Sequence, residues 1–310
     1  MKYKEWLQEW LEHYVEPTTK SRTYSRYAEM VKQHIIPKLG NYELDEIVPS
    51  IIQHYITELL QTGNLRTGKG MAANSVNAII NVIQSSLRMA FNLGYVKEFT
   101  ADRIKRPKAQ EKDVSCFTPI EQKKIEIFVK SSNKNKMFGI LLCLYTGLRV
   151  GELLALKWID INLQKGMLTV CRSCHDGRDG NGKYIRFEDS PKTSSSRRVI
   201  PLPKQLIPLI KDAKKKSDSE YIVTAKGKPI SVRSYQRTFD LIQKRLGIQH
   251  RGFHSLRHTF ATRALECGMD VKTLSEILGH KSSVVTLNRY AHSLLSHKQE
   301  MMDRVGKLLH

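Results

Sequence analysis

The chain has 310 residues, 40% apolar and 26% charged, which is enough for two separate cores and is the composition of a globular protein, not of a fibrous or disordered one. Its net charge of +21 is lopsided: residues 1–107 hold 14 Lys/Arg against 11 Asp/Glu, and residues 108–310 hold 37 against 19. A field of that sign attracts polyanions, nucleic acid first, while the charged N-terminus and the lack of any bilayer-spanning apolar run leave no membrane partner expected and a cytoplasmic protein as the reading.

Residues 3–14 set Trp6, Leu7, Trp10, Leu11 and Tyr14 at the spacing of an amphipathic helix. The pattern recurs over 20–36, 49–62 and 74–93, with breaks at Pro37-Lys38-Leu39-Gly40 and in the glycine-rich 63–70, where the backbone does not sustain a helix. Four helices over 1–94 thus predict a helical N-terminal domain. From 95 to 113 periodicity fades and Lys105, Arg106, Pro107, Lys108 and Lys112 accumulate, the composition of an exposed linker. Thr118-Pro119-Ile120-Glu121 then combines a hydroxyl cap, Pro at the first helical position and a Glu that reaches back to the cap, so a second domain, 114–310, opens on a helix. Within it 137–157 predicts two helices broken at Thr146-Gly147, and 166–170, 184–187 and 198–202 predict the strands of one small antiparallel sheet. Helices return over 203–216, 231–246, 255–267, 270–279 and 283–291, followed by an amphipathic terminal helix over 293–309. The fold class is mainly α with a small antiparallel β-sheet.

Several polar residues in the second domain suit phosphate chemistry. His254 and Arg257, three apart at a predicted helix start, share a face and can grip one ligand. Arg presents a planar, permanently charged fork that matches phosphate oxygens, although a lone Arg of this kind is usually a surface ion pair. Arg149 sits among apolar and small neighbours, where a charge is costly unless paired or used; Glu152, one turn on, is its natural partner. Lys192, in a Ser-Pro-Lys-Thr-Ser-Ser-Ser-Arg-Arg stretch, is placed at the tip of a basic hairpin between two strands, to protonate a departing oxygen or simply to clamp a phosphate. Gly279 marks a helix C-terminus that aims His280 sideways into a cleft, and Tyr290 follows ten residues later on a short helix. A single tyrosine there is most simply a packed aromatic; beside this set it becomes a competent oxygen nucleophile.

The order Arg149, Lys192, His254-x-x-Arg257, Leu278-Gly279-His280 and Tyr290 resembles the tyrosine recombinase, or phage integrase, family, over nearly the whole chain. Pro191-Lys192-Thr193 followed by Ser/Arg and an Ile-Pro-Leu strand looks most like the integrases of conjugative transposons and related mobile elements. The resemblance implies a SAM-like core-binding DNA-binding domain at 1–94 and a mixed α/β catalytic domain at 114–310, whose C-terminal helix packs into a neighbouring subunit. It implies a site-specific recombinase that integrates or excises a mobile element. Tyr290 would attack the scissile phosphate and form a 3′-phosphotyrosyl link, Arg149 and Arg257 would neutralise the equatorial oxygens, His254 and His280 would hydrogen-bond them or move protons, and Lys192 would protonate the leaving oxygen. No ATP, metal or other cofactor is implied. The partners implied are double-stranded DNA and a homo-tetramer on two DNA sites, with accessory DNA-bending or directionality proteins. His258 and His292 are expected to support these groups. Larger integrases of the family carry a further N-terminal arm-binding module, so either this is a simple recombinase of the Xer kind or such a module is missing.

Two motifs point elsewhere. Cys171-Arg172-Ser173-Cys174-His175 has the letters of a c-type haem attachment site, but its place in a predicted strand and hairpin favours ordinary cysteines over haem or zinc. Gly63 to Gly70 nearly matches a nucleotide phosphate loop, yet Gly70 replaces the hydroxyl residue that binds Mg²⁺ and a helix precedes it, which leaves a basic loop facing DNA. The competing functions are a type IB topoisomerase-like DNA-relaxing enzyme and a DNA-binding protein that does not catalyse.

Overall fold

The computed structural model describes residues 1–109, 115–132, 134–178, 183–189, 197–280, 282–290, 302, 303, 305–307 and 309, with the main chain alone at 135, 178 and 288–290. The chain divides into two compact units, Met1–Lys112 and Asp113–His310. No described helix is long and apolar enough to cross a membrane.

The first unit is helical: α1 (Tyr3–Trp10), α2 (Ser21–Met30), the short α3 (Ile36–Leu39), α4 (Pro49–Thr62) and α5 (Ala73–Asn92), with α1 and α2 each continuing into a wider π-type turn. The stripes read from the sequence are what it buries, Trp6, Leu7 and Trp10 from α1 against Ile52, Ile56 and Leu59 of α4 and Ile79, Ile80 and Ile83 of α5. Ser86 lies in that stripe without an apolar side chain, and its hydroxyl and carbonyl satisfy the Tyr3 hydroxyl at 2.7 Å and the Trp6 indole N–H at 3.0 Å. Buried Tyr and Trp need such partners. Residues 95–107, read as an exposed linker, lie along this unit: Ala101 is buried and its carbonyl accepts from Gln84, Arg106 donates to Asn81, and the Arg88 guanidinium covers the Phe99 ring.

In the second unit α6 (Pro119–Lys130) begins on the expected cap, with Glu121 N–H on the Thr118 hydroxyl at 3.2 Å and Thr118 N–H on the Glu121 carboxylate at 2.9 Å. Then follow α7 (Asn135–Thr146), α8 (Val150–Leu154), β1 (Ile161–Asn162), β2 (Met167–Val170), β3 (Ser173–Arg178), β4 (Tyr184–Asp189), β5 (Arg198–Pro201), α9 (Leu206–Lys215), β6 (Thr224–Ala225), β7 (Lys228–Pro229), α10 (Val232–Arg245), α11 (His254–Glu266), α12 (Val271–Leu278) and α13 (Ser283–Tyr290). Helix α7 carries the buried Ile140, Leu141, Leu142 and Leu144 and packs on α11.

The strands do not form the single sheet expected. β1, β2 and β5 make one antiparallel sheet, whereas β4 pairs with β3 in a separate hairpin. Lys192, expected in the stretch between the strands at 184–187 and 198–202, lies outside the described residues. Side chains of the β3–β4 hairpin also bind the helices beside it. Asp176 caps the first N–H groups of α10, at Val232 (3.0 Å) and Arg233 (2.8 Å), and Arg186 donates to the Leu154 carbonyl at the end of α8. In β5 the alternation of a strand puts Arg198 and Ile200 inward and Val199 outward. Of the terminal helix expected over 293–309, residues 302–303 and 305–307 are described and helical, with Met302 and Val305 exposed.

Candidate active site

Two glycine turns build the site. At Gly147, after α7, the backbone turns left-handed (φ 65°), and a Cβ there would sit 2.5 Å from the Phe260 ring and 2.7 Å from Leu278. At Gly279, after α12, it does so again (φ 66°), with the Arg198 side chain 3.0 Å from where a Cβ would be. Only glycine meets both demands without strain.

The end of α12 organises the cationic groups. Its turn is closed by Gly279 N–H on the Glu276 carbonyl and His280 N–H on the Ser275 carbonyl, both at 3.0 Å. The next three carbonyls each go to a different arginine: Ile277 accepts from Arg198 Nε at 2.6 Å, Leu278 from Arg257 Nη2 at 2.8 Å, and Gly279 from Arg149 Nη2 at 3.2 Å. A helix C-terminus leaves these carbonyls unpaired and carries the negative end of the dipole, so it is a natural seat for cations.

Arg149 occupies the cap position of α8, half-buried, and Glu152 binds it twice, accepting its backbone N–H at 2.9 Å and its guanidinium at 2.7 Å. The same carboxylate takes both terminal nitrogens of Arg198, at 3.0 and 2.9 Å. Burial alone would raise the Glu152 pKa; the hydrogen bonds and charge of Arg198, helped by the charge and backbone N–H of Arg149, outweigh it and bring the pKa down to about 2. Two guanidinium groups thus share one carboxylate, and with Arg257 nearby the described residues leave the site with a surplus of positive charge.

Arg257 is 2% exposed, and a charge so buried is tolerable only when it is fully engaged. Its guanidinium donates to the Gly147 carbonyl at 2.9 Å and contacts His280 Nε2 at 2.8 Å, besides its bond to Leu278. His280 Nδ1 meets the Thr286 hydroxyl on α13 at 2.7 Å. His254 opens α11, exposed, with its ring 4.6 Å edge-on from that of His258.

Of the residues expected from sequence, Arg149, Arg257 and His280 are brought together, and His254 lies on the helix that carries Arg257. Tyr290 is the last residue of α13; its side chain, Lys192 and His292 lie outside the described set. Arg198 and Thr286 were not singled out from the sequence. Arg198 carried one signal, its place two residues before Ile200 in a predicted strand, which puts it on the buried face. Cys171 and Cys174 face different neighbours: the Cys171 thiol lies 3.3 Å from the Asp160 carboxylate, Cys174 is buried, and His175 stacks on Phe187. Among the described residues no His, Cys, Asp and Glu groups are clustered as metal ligands would be.

The chain matches the family model described as "Phage integrase family" over residues 119–297 and the model described as "Phage integrase, N-terminal SAM-like domain" over residues 2–60. A tyrosine recombinase XerC-like protein of Caldanaerobacter subterraneus subsp. tengcongensis is 30% identical to it, over 98% of this chain and 81% of that one. The ICEBs1 integrase of Bacillus subtilis is 26% identical over 94% of this chain and 79% of its own length. The fold is shared with the Tn1549 transposon integrase, solved in complex with a circular intermediate DNA, at a TM-score of 0.81 and 20% identity, over 98% of this chain and 99% of that one. Matched along most of its length and sharing the fold throughout, the chain belongs to the phage integrase family, the tyrosine recombinases.

Proposed function

We propose that this recombinase cleaves and rejoins double-stranded DNA through a 3′-phosphotyrosyl intermediate on Tyr290, integrating or excising a mobile element. The observation that carries the reading is the convergence of Arg149, Arg257 and His280 on the end of α12, the helix just before the one that ends at Tyr290. Two forks and an imidazole around one point suit a phosphoryl group whose non-bridging oxygens gain charge as the phosphorus becomes five-coordinate. In that scheme Arg149 and Arg257 neutralise those oxygens, and His254 and His280 hydrogen-bond them or move protons. The Tyr290 hydroxyl gives up its proton to one of these histidines as its oxygen bonds phosphorus, the bond to the 5′-oxygen breaks, and the Lys192 ammonium gives the departing oxygen its proton. The phosphotyrosyl bond keeps the energy of the phosphodiester, so rejoining is the same path reversed and needs no ATP. The arginines fill the charge-stabilising role that a divalent ion has in other nucleases.

Unit Met1–Lys112 acts in this reading as the core-binding DNA domain and unit Asp113–His310 as the catalytic one. The working assembly is a homo-tetramer on two DNA sites in the cytoplasm, with accessory DNA-bending or directionality proteins selecting the outcome. The test is incubation, in chelator, with a nicked duplex carrying the element's end. A denaturant-resistant protein–DNA adduct is expected with the wild type and not with Tyr290→Phe. Tight binding without an adduct would support a protein that binds DNA without catalysis, and supercoil relaxation without strand exchange between two duplexes would support a topoisomerase.

A further inference from the structure

Among the described side chains of α13, only Thr286 is buried: its exposure is 0%, whereas Val284, Val285 and Leu287 stand 45% or more exposed. Its described bond is the 2.7 Å contact with His280 Nδ1. The direction of that bond is settled by the other side of the ring. An arginine only donates, so at 2.8 Å from Arg257 Nη2 the His280 Nε2 is a lone pair. The ring proton is therefore on Nδ1, and the Thr286 oxygen accepts it. Reversing the bond would turn Nε2–H toward a guanidinium N–H, two donors face to face.

We propose that Thr286 is a positioning residue, whose hydroxyl accepts the Nδ1–H of His280, holds the ring with its Nε2 lone pair facing Arg257 and at the same time seats α13, one turn before Tyr290, on the end of α12. The two jobs fall on one oxygen, so the ring is held against Arg257 only while the helix of the nucleophile is seated; in this tautomer the part left to His280 in the proposed reaction is to move a proton at Nε2, not to donate to a phosphate oxygen. Elsewhere, the second ring nitrogen of a functional histidine is fixed in the same manner by an outer partner. The kinetic consequence rests on the proposed reaction; the tautomer does not.

The experiment has two arms. In the first, long-range nitrogen–proton NMR spectra of the DNA-free protein, labelled at histidine, identify the His280 signals by their loss in His280→Ala. The wild type and Thr286→Ser should show the proton on Nδ1 and hydrogen-bonded, whereas Thr286→Val, which keeps the branched shape but accepts no hydrogen bond, should move the Nδ1–H resonance upfield and speed its exchange with solvent. A Thr286→Val spectrum like that of the wild type overturns the proposal whatever the enzyme does. In the second arm, single-turnover adduct formation is followed at saturating protein. Thr286→Val should cleave about tenfold or more slowly with unchanged DNA affinity, Thr286→Ser should recover most of the rate, and Thr286→Val should cost nothing further in a His280→Ala background. An additive loss in the double variant overturns action through His280. If the wild type itself forms no adduct, the proposed reaction fails, and the NMR arm still decides the tautomer.

Discussion

At the scale of single residues, the buried carboxylate of Glu152 decides how two arginines are held. Its pKa near 2 lies below the ordinary 4.5. A carboxyl depressed in this way contributes stability that is fully present above its ordinary pKa and is lost as pH falls through the depressed one. A shift of this size amounts to roughly 3 kcal/mol. Glu152→Gln should therefore destabilise the second unit by about 3–5 kcal/mol near neutral pH. In denaturant titrations that gap should shrink as the pH is lowered from 4.5 toward 2; a gap that ignores pH would mean that the charge of Glu152 is not what holds the arginines. The two proposed phosphate-binding arginines should behave differently from each other. Arg257 is 2% exposed, while the Arg149 side chain is 37% exposed. Replacing either by Gln should raise the cleavage barrier by at least ~3 kcal/mol, about 10²-fold in rate. Thermal unfolding should separate them, because Arg257→Gln strands the Gly147 and Leu278 carbonyls in the interior, whereas Arg149→Gln leaves a group that water reaches. Equal losses of stability would contradict this division.

At the scale of elements, the glycine turns are the parts most legible in the sequence and the arginine contacts the least. Thr146-Gly147 and Leu278-Gly279 announce helix ends by local chemistry, and both turns form as read. The pairing of Arg198 with Glu152 joins β5 to α8 across 46 residues, and no local pattern encodes a contact of that span. Likewise the apolar and β-branched residues that predict strands near 167, 184 and 198 do not say which strand pairs with which. The hairpin of β3 and β4 is tied through Asp176 and Arg186 to helices 56 and 32 residues away in sequence, contacts that no strand pattern announces. The turns also carry a graded prediction. Gly268, left-handed (φ 85°) with nothing within 4 Å of a Cβ, measures the backbone cost alone, so Gly268→Ala should lose about 1–2 kcal/mol. Gly147→Ala adds a contact at 2.5 Å with Phe260 and should lose a further 1–3 kcal/mol, roughly. Gly279→Ala presses on Arg198, whose side chain can move away but only by straining its bonds to Glu152 and Ile277. Its stability should fall little beyond the Gly268→Ala level while cleavage slows more than in either other variant. Adduct rates and melting curves for the three would show whether the losses follow this order.

At the scale of the whole molecule, composition already separated a nearly balanced N-terminal part from a strongly basic remainder, and the four helical periods of the first 94 residues recur there, except that the second runs on as helix through Pro37 to Leu39, where a break was expected, because Pro37 falls in the first turn of α3 and its missing N–H costs nothing there. The stretch after it was harder to read, because Lys105 and Arg106 resemble a solvated linker while Ala101 between polar neighbours gives no hint that it is buried against α5. Its docking depends on Gln84 and Gln53, glutamines on helix surfaces that meet main-chain groups of 101 and 105. The charge itself carries the broadest prediction. Residues 108–310 hold a surplus of 18 positive charges out of the 21, and each phosphate that such a surface neutralises releases condensed counterions, so the logarithm of the association constant falls linearly with the logarithm of salt at about 0.9 per contact. With roughly 6–10 phosphate contacts, affinity for a duplex should drop about 10³- to 10⁵-fold between ~50 and ~200 mM salt, which fluorescence anisotropy on a labelled duplex can follow. The element's own end and an unrelated duplex should share most of that slope, because phosphate contacts position the protein while base contacts and DNA deformability distinguish sites. A slope shallower than about −2 on both duplexes would mean that the basic surplus does not face the phosphates, and the argument from charge to DNA would then rest on the arginine site alone.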